Sequence, residues 1–485
     1  MISVSGVNQM RVYLVPLMVF LMMIISAGSS HAAKIVDVDS SSDFLLDDSS
    51  HIWRWDGIVV GTDGTVSITK PYLIDNLSDV KQTAGCDVIY YALKKDGTVW
   101  ALDSYFYMEN GTYKDGYMRL ADMGLADPLQ VPGFENITAI SGKSSSLIAV
   151  TDDHRVLGLG GNNYGQLGSA KNSGTDSMVT YPVQVSGLDN VRIASMGDLH
   201  AAAVTADGTV WTWGSNHLCQ LGRPILSNES YDYQFEPFHV QGLNDVMTVS
   251  AGRDFTIALG NDGTVSAWGR NDEGQVGNGL FDTKRSYSTP QRVKDLDHVT
   301  AVSAGAWYTL ALRDDGTVWA WGKNNRAMLG DGTTKSKNIP VQVQGLKKIV
   351  NISASNTDRC LAVDEDGNVW AWGVGHITVR PGEKPEKYVH SVIVPILVMS
   401  GDNSTTGCNT SSGSVAQPST DPAASNVALT PSVTGVVNVS FTASPAVEAQ
   451  SAEAGLPIPG MGFGSVLLAV FTVSVGSMLI GQRKR

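Results

Sequence analysis

Leu310-Ala-Leu-Arg-Asp-Asp-Gly-Thr-Val-Trp-Ala-Trp-Gly322 is the stretch on which the fold turns. Apolar alternation at its start predicts a strand, Asp-Gly supplies the positive φ of a tight turn, and Val-Trp-x-Trp-Gly begins the returning strand. The phrase recurs as Ala202-Ala-Val-Thr-Ala-Asp-Gly-Thr-Val-Trp-Thr-Trp-Gly214, and again at 257–269, 361–373 and 91–101. A degenerate copy runs from Ile148 to Gly160, and a faint seventh from Leu45 to Trp55. The first-tryptophan position falls at Trp53, Trp100, Leu157, Trp211, Ser266, Trp319 and Trp370, at intervals of 47 to 57 residues. In every copy a small or apolar residue stands eight positions earlier. A proline five residues before a Gly-Leu-like pair follows the first six copies: Pro71, Pro128, Pro182, Pro237, Pro290 and Pro340. Two coupled markers in seven ordered copies define a repeat.

Ahead of each phrase lies a stretch of small residues, such as Val302-Ser-Ala-Gly305 and Val249-Ser-Ala-Gly252. Small residues suit an innermost strand, where sheets converge on an axis. Each unit then supplies about four strands, and one such sheet cannot bury both faces alone. Radial closure lets the sheets bury one another and leaves only short edges. The expectation is an all-β, seven-bladed β-propeller of four-stranded blades over 34–401. Trp211-Thr-Trp-Gly-Ser-Asn-His-Leu-Cys-Gln-Leu-Gly222 and Gly160-Gly-Asn-Asn-Tyr-Gly-Gln-Leu-Gly168 resemble the Trp-Gly-x-Asn-x-x-Gly-Gln-Leu-Gly element of the regulator of chromosome condensation family, whose fold is a seven-bladed propeller. The resemblance covers roughly 35–400, and its first two units lack the Gln-Leu-Gly part. Ile35-Val-Asp-Val38 and Val394-Pro-Ile-Leu-Val-Met-Ser-Gly401 both look like the strand that opens a repeat. Only one can take that place; the other is an extra edge or the start of a stalk.

The ends point to a compartment. Arg11, the apolar run Val12–Ala27 and a small-x-small site near Ser30-His31-Ala32 form an export signal over 1–33. Residues 402–458 change to Ser, Thr, Ala, Pro and Val with one aromatic residue, Phe441, which predicts a stalk. Residues 459–485 combine Pro459-Gly460-Met461-Gly462-Phe463, the apolar run Ser465–Ile480 and Arg483-Lys484-Arg485. This end resembles the PGF-type sorting signals of archaeal surface proteins, with Met461 and Gly462 interrupting the motif; a plain transmembrane tail is the alternative. Either way the propeller is expected outside the cell, anchored at its C-terminus. Sequons at Asn76, Asn110, Asn136, Asn228, Asn351, Asn403, Asn409 and Asn438 are then candidate glycosylation sites.

The net charge of -13 excludes a nucleic-acid partner, since phosphates need clustered Lys and Arg. Four cysteines without CxxC spacing exclude a zinc site and leave disulfides open. Acidic pairs such as Asp314/Asp315 lack calcium-loop spacing, and the glycines at 158–165 sit in a repeat rather than before a helix. No catalytic site, cofactor or metal is expected. His200, Phe255 and Tyr308 share one repeat position, which assigns them to packing. Binding residues favour loops on a rigid scaffold, so two irregular aromatic segments are the candidates. They are 103–117, with Tyr105, Phe106, Tyr107, Tyr113 and Tyr117, and 226–236, with Tyr231, Tyr233 and Phe235. The expected function is a monomeric, non-enzymatic surface module that binds a protein or glycan. Family resemblance implies an alternative, guanine-nucleotide exchange on a small GTPase, and likeness to propeller inhibitors of β-lactamase implies inhibition of an extracellular enzyme.

Overall fold

The computed structural model describes residues 34–400 apart from 42, 56–57, 61–65, 69, 87–88, 103, 110–111, 121–126, 172–177, 227–231, 281–284, 375 and 378–390, together with 411–412 and 437–438. Among the described residues every regular element is a strand. Seven four-stranded antiparallel sheets follow one another along the chain, so the ring has seven blades. Blade 6 shows the plan, with Val299–Ala304 innermost, then Tyr308–Arg313, Val318–Gly322 and Lys337–Gln342 outermost. The other blades occupy 35–74, 80–130, 137–184, 191–239, 246–292 and 349–399. The proposed export signal and C-terminal hydrophobic run lie outside the described residues, and among those described no helix is long and apolar enough to cross a membrane.

The quoted phrase is the hairpin between second and third strands. Gly316 has φ +75°, and a Cβ there would stand 2.8 Å from Lys348 Cα of the next linker, so only glycine fits. Asp315 Oδ1 accepts from the Thr317 amide and hydroxyl, and Thr317 Oγ1 accepts from Trp319 Nε1 at 3.2 Å. The first tryptophan is thus wired to its own turn and stays half-buried. The second tryptophan, at 55, 213, 268, 321 and 372, is fully buried. Truncating such a side chain to alanine costs about 3–5 kcal/mol.

Seven apolar clusters lie between neighbouring blades, one for each junction of the ring. At the four junctions from blade 3 to blade 7, polar bonds also cross at three heights. Between blades 5 and 6, Val299 N–H donates to Gly263 O at 3.1 Å, Ala304 N–H to Ser250 Oγ at 2.9 Å, and Trp321 Nε1 to Gln275 O at 2.8 Å. The middle bond satisfies the innermost strand, whose outer neighbours cannot reach its free edge. Ser141, Ser195, Ser303 and Ser353 repeat it with Met196, Ala251, Ala354 and Ser40 of the following blade. Blade 2 has Ala84 where this serine would stand, and Gln82 bridges to both backbone groups of Ile140 instead.

The ring closes without exchanging a strand. Ile35–Asp39 opens blade 1, whereas Ser391–Met399 is the outermost strand of blade 7, paired with Val369–Val374. The likeness of 394–401 to an opening strand therefore has another cause: both are apolar edge strands. Asn351 Nδ2 donates to Asp37 Oδ1 at 2.7 Å, and Arg359 pairs with Asp43 and lies over Trp55. Backbone pairing adds a second tie, because His376–Ile377 of blade 7 runs parallel to Ile58–Val60, which also pairs with Val66–Ile68.

Burial, with the charge of Asp39 added, pushes the Asp37 carboxyl up to about 6 despite hydrogen bonds from Val38 and Asn351. Its folded pKa thus lies above the unfolded value of 3.8, so the folded state holds the extra proton. Its contribution to stability is fully present below the unfolded pKa and is lost as pH rises to about 6. Asp37→Asn keeps an acceptor for Asn351 and removes the charge. It should stabilise the ring at pH 7 by roughly 1–3 kcal/mol and flatten the stability profile between about pH 4 and 6. Chemical denaturation across that range measures it.

Candidate binding face

Strand polarity puts the first-to-second turns and third-to-fourth loops of every blade on one face, and the Asp-Gly hairpins and linkers on the other. The loop face begins with short turns that the repeat leaves free to vary. Gly197-Asp198-Leu199, Gly252-Arg253-Asp254, Gly305-Ala306-Trp307 and Ser355-Asn356-Thr357-Asp358 occupy this place in blades 4 to 7. Backbone bonds join them, from Arg253 N–H to Ala306 O and from Ala306 N–H to Ser355 O. Asn356 Nδ2 donates to Asp198 Oδ1 at 2.6 Å, connecting blades 4 and 7 across the mouth of the ring.

Trp307 is the centre of this face. Among the described residues, Arg270, Arg253 and Lys323 place their cationic groups 4.0, 5.0 and 5.1 Å from the centre of its ring. Arg270 also reaches Asp254 at 3.3 Å and pairs with Asp272, while Arg253 approaches Asp198 at 3.6 Å. His217 Nε2 lies 3.4 Å from Asp254, yet burial holds His217 below its ordinary range. Arg326 pairs with Asp358 at 3.0 Å, and burial raises the Asp358 carboxyl even beside Arg326 and Lys323.

Beneath the mouth lies a polar cavity of about 250 Å³ lined by the innermost strands, with Ser141, Ser195, Ser250, Ser303, Ser353 and Asp37 in its wall. Lys143, at the end of the innermost strand of blade 3, is buried and reaches across it. Its Nζ donates to Ala251 O at 2.9 Å and Ala304 O at 2.7 Å. Blades 3, 5 and 6 are tied by one ammonium group.

The Gln-Leu-Gly element builds the outer part of the face. Asn216 Oδ1 accepts from Leu221 N–H, Gln220 Oε1 accepts from Leu218 N–H, and Gln220 O receives Trp268 of the next blade. Asn271 and Asn324 hold Val276 and Leu329 in the same way. In blade 4 the loop continues to a buried pair, Arg223 Nη1 and Nη2 donating to Asp232 Oδ2 and Oδ1 at 3.0 and 2.8 Å. Burial would raise Asp232, but hydrogen bonds from Arg223, Asn216 and the Leu226 amide outweigh it and hold the carboxyl below its usual range.

The expected aromatic segments meet this face differently. Residues 104–119 are a hairpin rather than a loop, with Ser104–Glu109 pairing Thr112–Arg119 and placing Tyr105, Phe106, Tyr107, Tyr113 and Tyr117 in its strands. Tyr231 lies outside the described residues. Tyr233 and Phe235 belong to the outermost strand Tyr233–His239. Tyr233 meets Tyr164 of blade 3 edge-on at 6.3 Å, and Phe235 packs so closely on Gly165 that a Cβ there would lie 2.9 Å from its own. Phe235 is a junction residue. Trp307 was missed because its neighbours come from separate repeats; its one signal is a tryptophan outside the Trp-x-Trp position.

His200 is a packing residue, as its repeat position implies. It is buried, its Nε2 meets Thr256 Oγ1 of the next blade at 2.9 Å, and burial beside Lys143 lowers it to about 3. Cys86, Cys219 and Cys360 are buried and stand outside any disulfide; Cys408 lies outside the described residues. Asn76 and Asn136 are exposed, with Asn76 Nδ2 donating to Asp127 O. Asn351 is half-buried, and the nitrogen a glycan would take is already bonded to Asp37. Asn438 lies in the short strand Val437–Asn438, and Asn110, Asn228, Asn403 and Asn409 lie outside the described residues.

Arg223→Met would leave the Asp232 carboxylate buried without its partner. The expected loss is about 3 kcal/mol or more. Amide exchange by mass spectrometry should show faster exchange over 216–226 than over the Asp-Gly hairpins.

Four repeats, 153–204, 207–259, 262–312 and 315–357, match the family model described as regulator of chromosome condensation (RCC1) repeat, and a second model of that description matches 191–218, 248–275 and 299–327. The human probable E3 ubiquitin-protein ligase HERC6 is 34% identical over 250 residues, 50% of this chain and 24% of that protein. Human HERC2 is 34% identical over 194 residues, 39% of this chain and 4% of that protein, so the chain spans only a minor part of these relatives. The ultraviolet-B receptor UVR8 of Arabidopsis thaliana is 27% identical over 73% of this chain and 77% of its own length. Among solved structures, Prp20p of Saccharomyces cerevisiae has a TM-score of 0.57 at 18% identity, covering 78% of this chain and 92% of its own. Human WBSCR16 has a TM-score of 0.55 at 20% identity, covering 68% and 85%. Repeat phrase, seven-bladed ring and matched repeats agree: the chain carries RCC1 repeats over 153–357 and folds as a seven-bladed β-propeller of the RCC1-repeat type.

Proposed function

We propose that the propeller is a non-catalytic binding module displayed on the outer face of a membrane, which engages a protein or glycan through its loop face. One observation carries this reading. The turns of blades 4 to 7, freed from the repeat, bring an aromatic ring and a network of charges together on the face where the irregular loops also open. Rigid walls surround them, so a partner would meet a preformed surface. The relatives support a protein-binding or regulatory role. They include an ultraviolet-B receptor and ubiquitin ligases, and the structural relative Prp20p binds Gsp1p and histones. The surface location rests on the sequence of the two ends.

Site-specific photo-crosslinking of the full chain on its own cells tests the face. A crosslinker at Thr357 or Asn325, both exposed on the loop face, should trap a partner, whereas one at Asp366 on the hairpin face should not. Adducts at Asp366 alone, or at neither face, would overturn the assignment. Recovery of uncleaved chain from the cytoplasm would remove the surface location.

A further inference from the structure

The charges around Trp307 are layered by depth. The side chains of Asp254, Asp358 and Asp198 retain 6%, 12% and 16% of their exposure, whereas Arg253 and Arg326 retain 50% and 46%. These three carboxylates therefore lie under the guanidinium groups of Arg253 and Arg326, which stand out as positive there, whereas Asp272, paired with Arg270, keeps 33% of its exposure beside them. Lys323 joins the two arginines, standing over Trp307 and close enough to Asp358 to act on its carboxyl. This positive spot sits on a chain of net charge -13. Buried acids hold the arginines in place before a partner arrives, which reduces the entropy lost on binding.

We infer that this patch takes a carboxylate-rich segment of a protein partner, with Arg253 and Arg326 each receiving one acidic side chain and Lys323 lying between them. The inference rests on the loop face being the binding face. Guanidinium groups pair with carboxylates through two parallel hydrogen bonds, and half-exposed arginines have donors free to do so. An acidic glycan would share the charge but needs an open aromatic face for its sugar ring. Here Arg270 covers Trp307 from 4.0 Å, with Arg253 and Lys323 close by, so a peptide is favoured.

The test is fluorescence anisotropy on the full chain with a short labelled peptide alternating Glu and Gly. Its Gln-Gly counterpart and an oligogalacturonate serve as the other arms. The Glu peptide should bind, with the Gln peptide weaker by about tenfold or more. Arg253→Glu and Arg326→Glu should each weaken it by about tenfold, Arg253→Lys should keep part of the binding, and Lys347→Glu, exposed on the hairpin face, should change it less than about twofold. Melting temperatures of each variant separate lost binding from lost fold. Equal binding of the Gln peptide, equal loss with Lys347→Glu, or preference for the oligogalacturonate overturns the inference. If no acidic peptide binds while Thr357 still crosslinks a partner, the chemistry assigned to the patch is wrong and the face assignment stands.

Discussion

The free edge of each innermost strand is the constraint from which the rest follows. Those strands crowd the axis, where only small residues fit, and their outward N–H groups have no ladder to join. A serine one blade back supplies the acceptor, as Ser250 does for Ala304 and Ser303 for Ala354. An unpaired buried amide costs about 1–3 kcal/mol, so five such junctions weigh heavily in a fold of marginal net stability. Four of these junctions, all but that between blades 7 and 1, are also pinned at the hairpin face by a backbone bond and at the loop face by the second tryptophan, as in Ile349 N–H to Gly316 O and Trp372 Nε1 to Met328 O. The repeat phrase is therefore less a strand pattern than a pattern of bonds to the next blade.

The junction between the first and last blades has to be made differently, since no strand is shared across it. Acid, amide and guanidinium side chains stand there, with Asn351 on Asp37 and Arg359 on Asp43. The pairing of His376–Ile377 with Ile58–Val60 adds a backbone tie. Blades 1 and 7 both lack the Gln-Leu-Gly element, and that backbone tie is made by residues standing in its place. Elsewhere each turn of blades 4 to 6 on the loop face opens on a glycine, where a Cβ would collide with the ring of His200, Phe255 or Tyr308, and the residues after it differ from blade to blade. Trp307, Arg253, Asp198 and Asn356 are what this chain places there.

Blade number, hairpin turns and the Gln-Leu-Gly loops were legible in the sequence because each is local and recurs. The weakest copy, Leu45–Trp55, was also found, because its two markers, Leu45 eight before Trp53 and Pro71 after it, are coupled; in the structure Ser50 takes the left-handed φ that glycine takes elsewhere, and Trp55 is buried like its counterparts. The role of His200 could be read from its repeat position. Contacts between blades could not. Lys143 looks like an ordinary strand-end lysine until the ring brings two carbonyls from blades 5 and 6 to its ammonium. Phe235 looks like an exposed loop aromatic until Gly165 of the preceding blade is set against it. Trp307 and its three cations come from two blades, and no spacing rule joins Arg253, Arg270 and Lys323.

Native-state hydrogen exchange of five backbone amides, Met196, Ala251, Ala304, Ala354 and Ser40, tests the account most directly. If serine acceptors close the innermost edges, these amides exchange only through global unfolding, at the rate of the central strands beside them. Exchange as fast as that of the surface hairpins would mean that the axial edges are open to water and that the apolar junctions alone hold the ring.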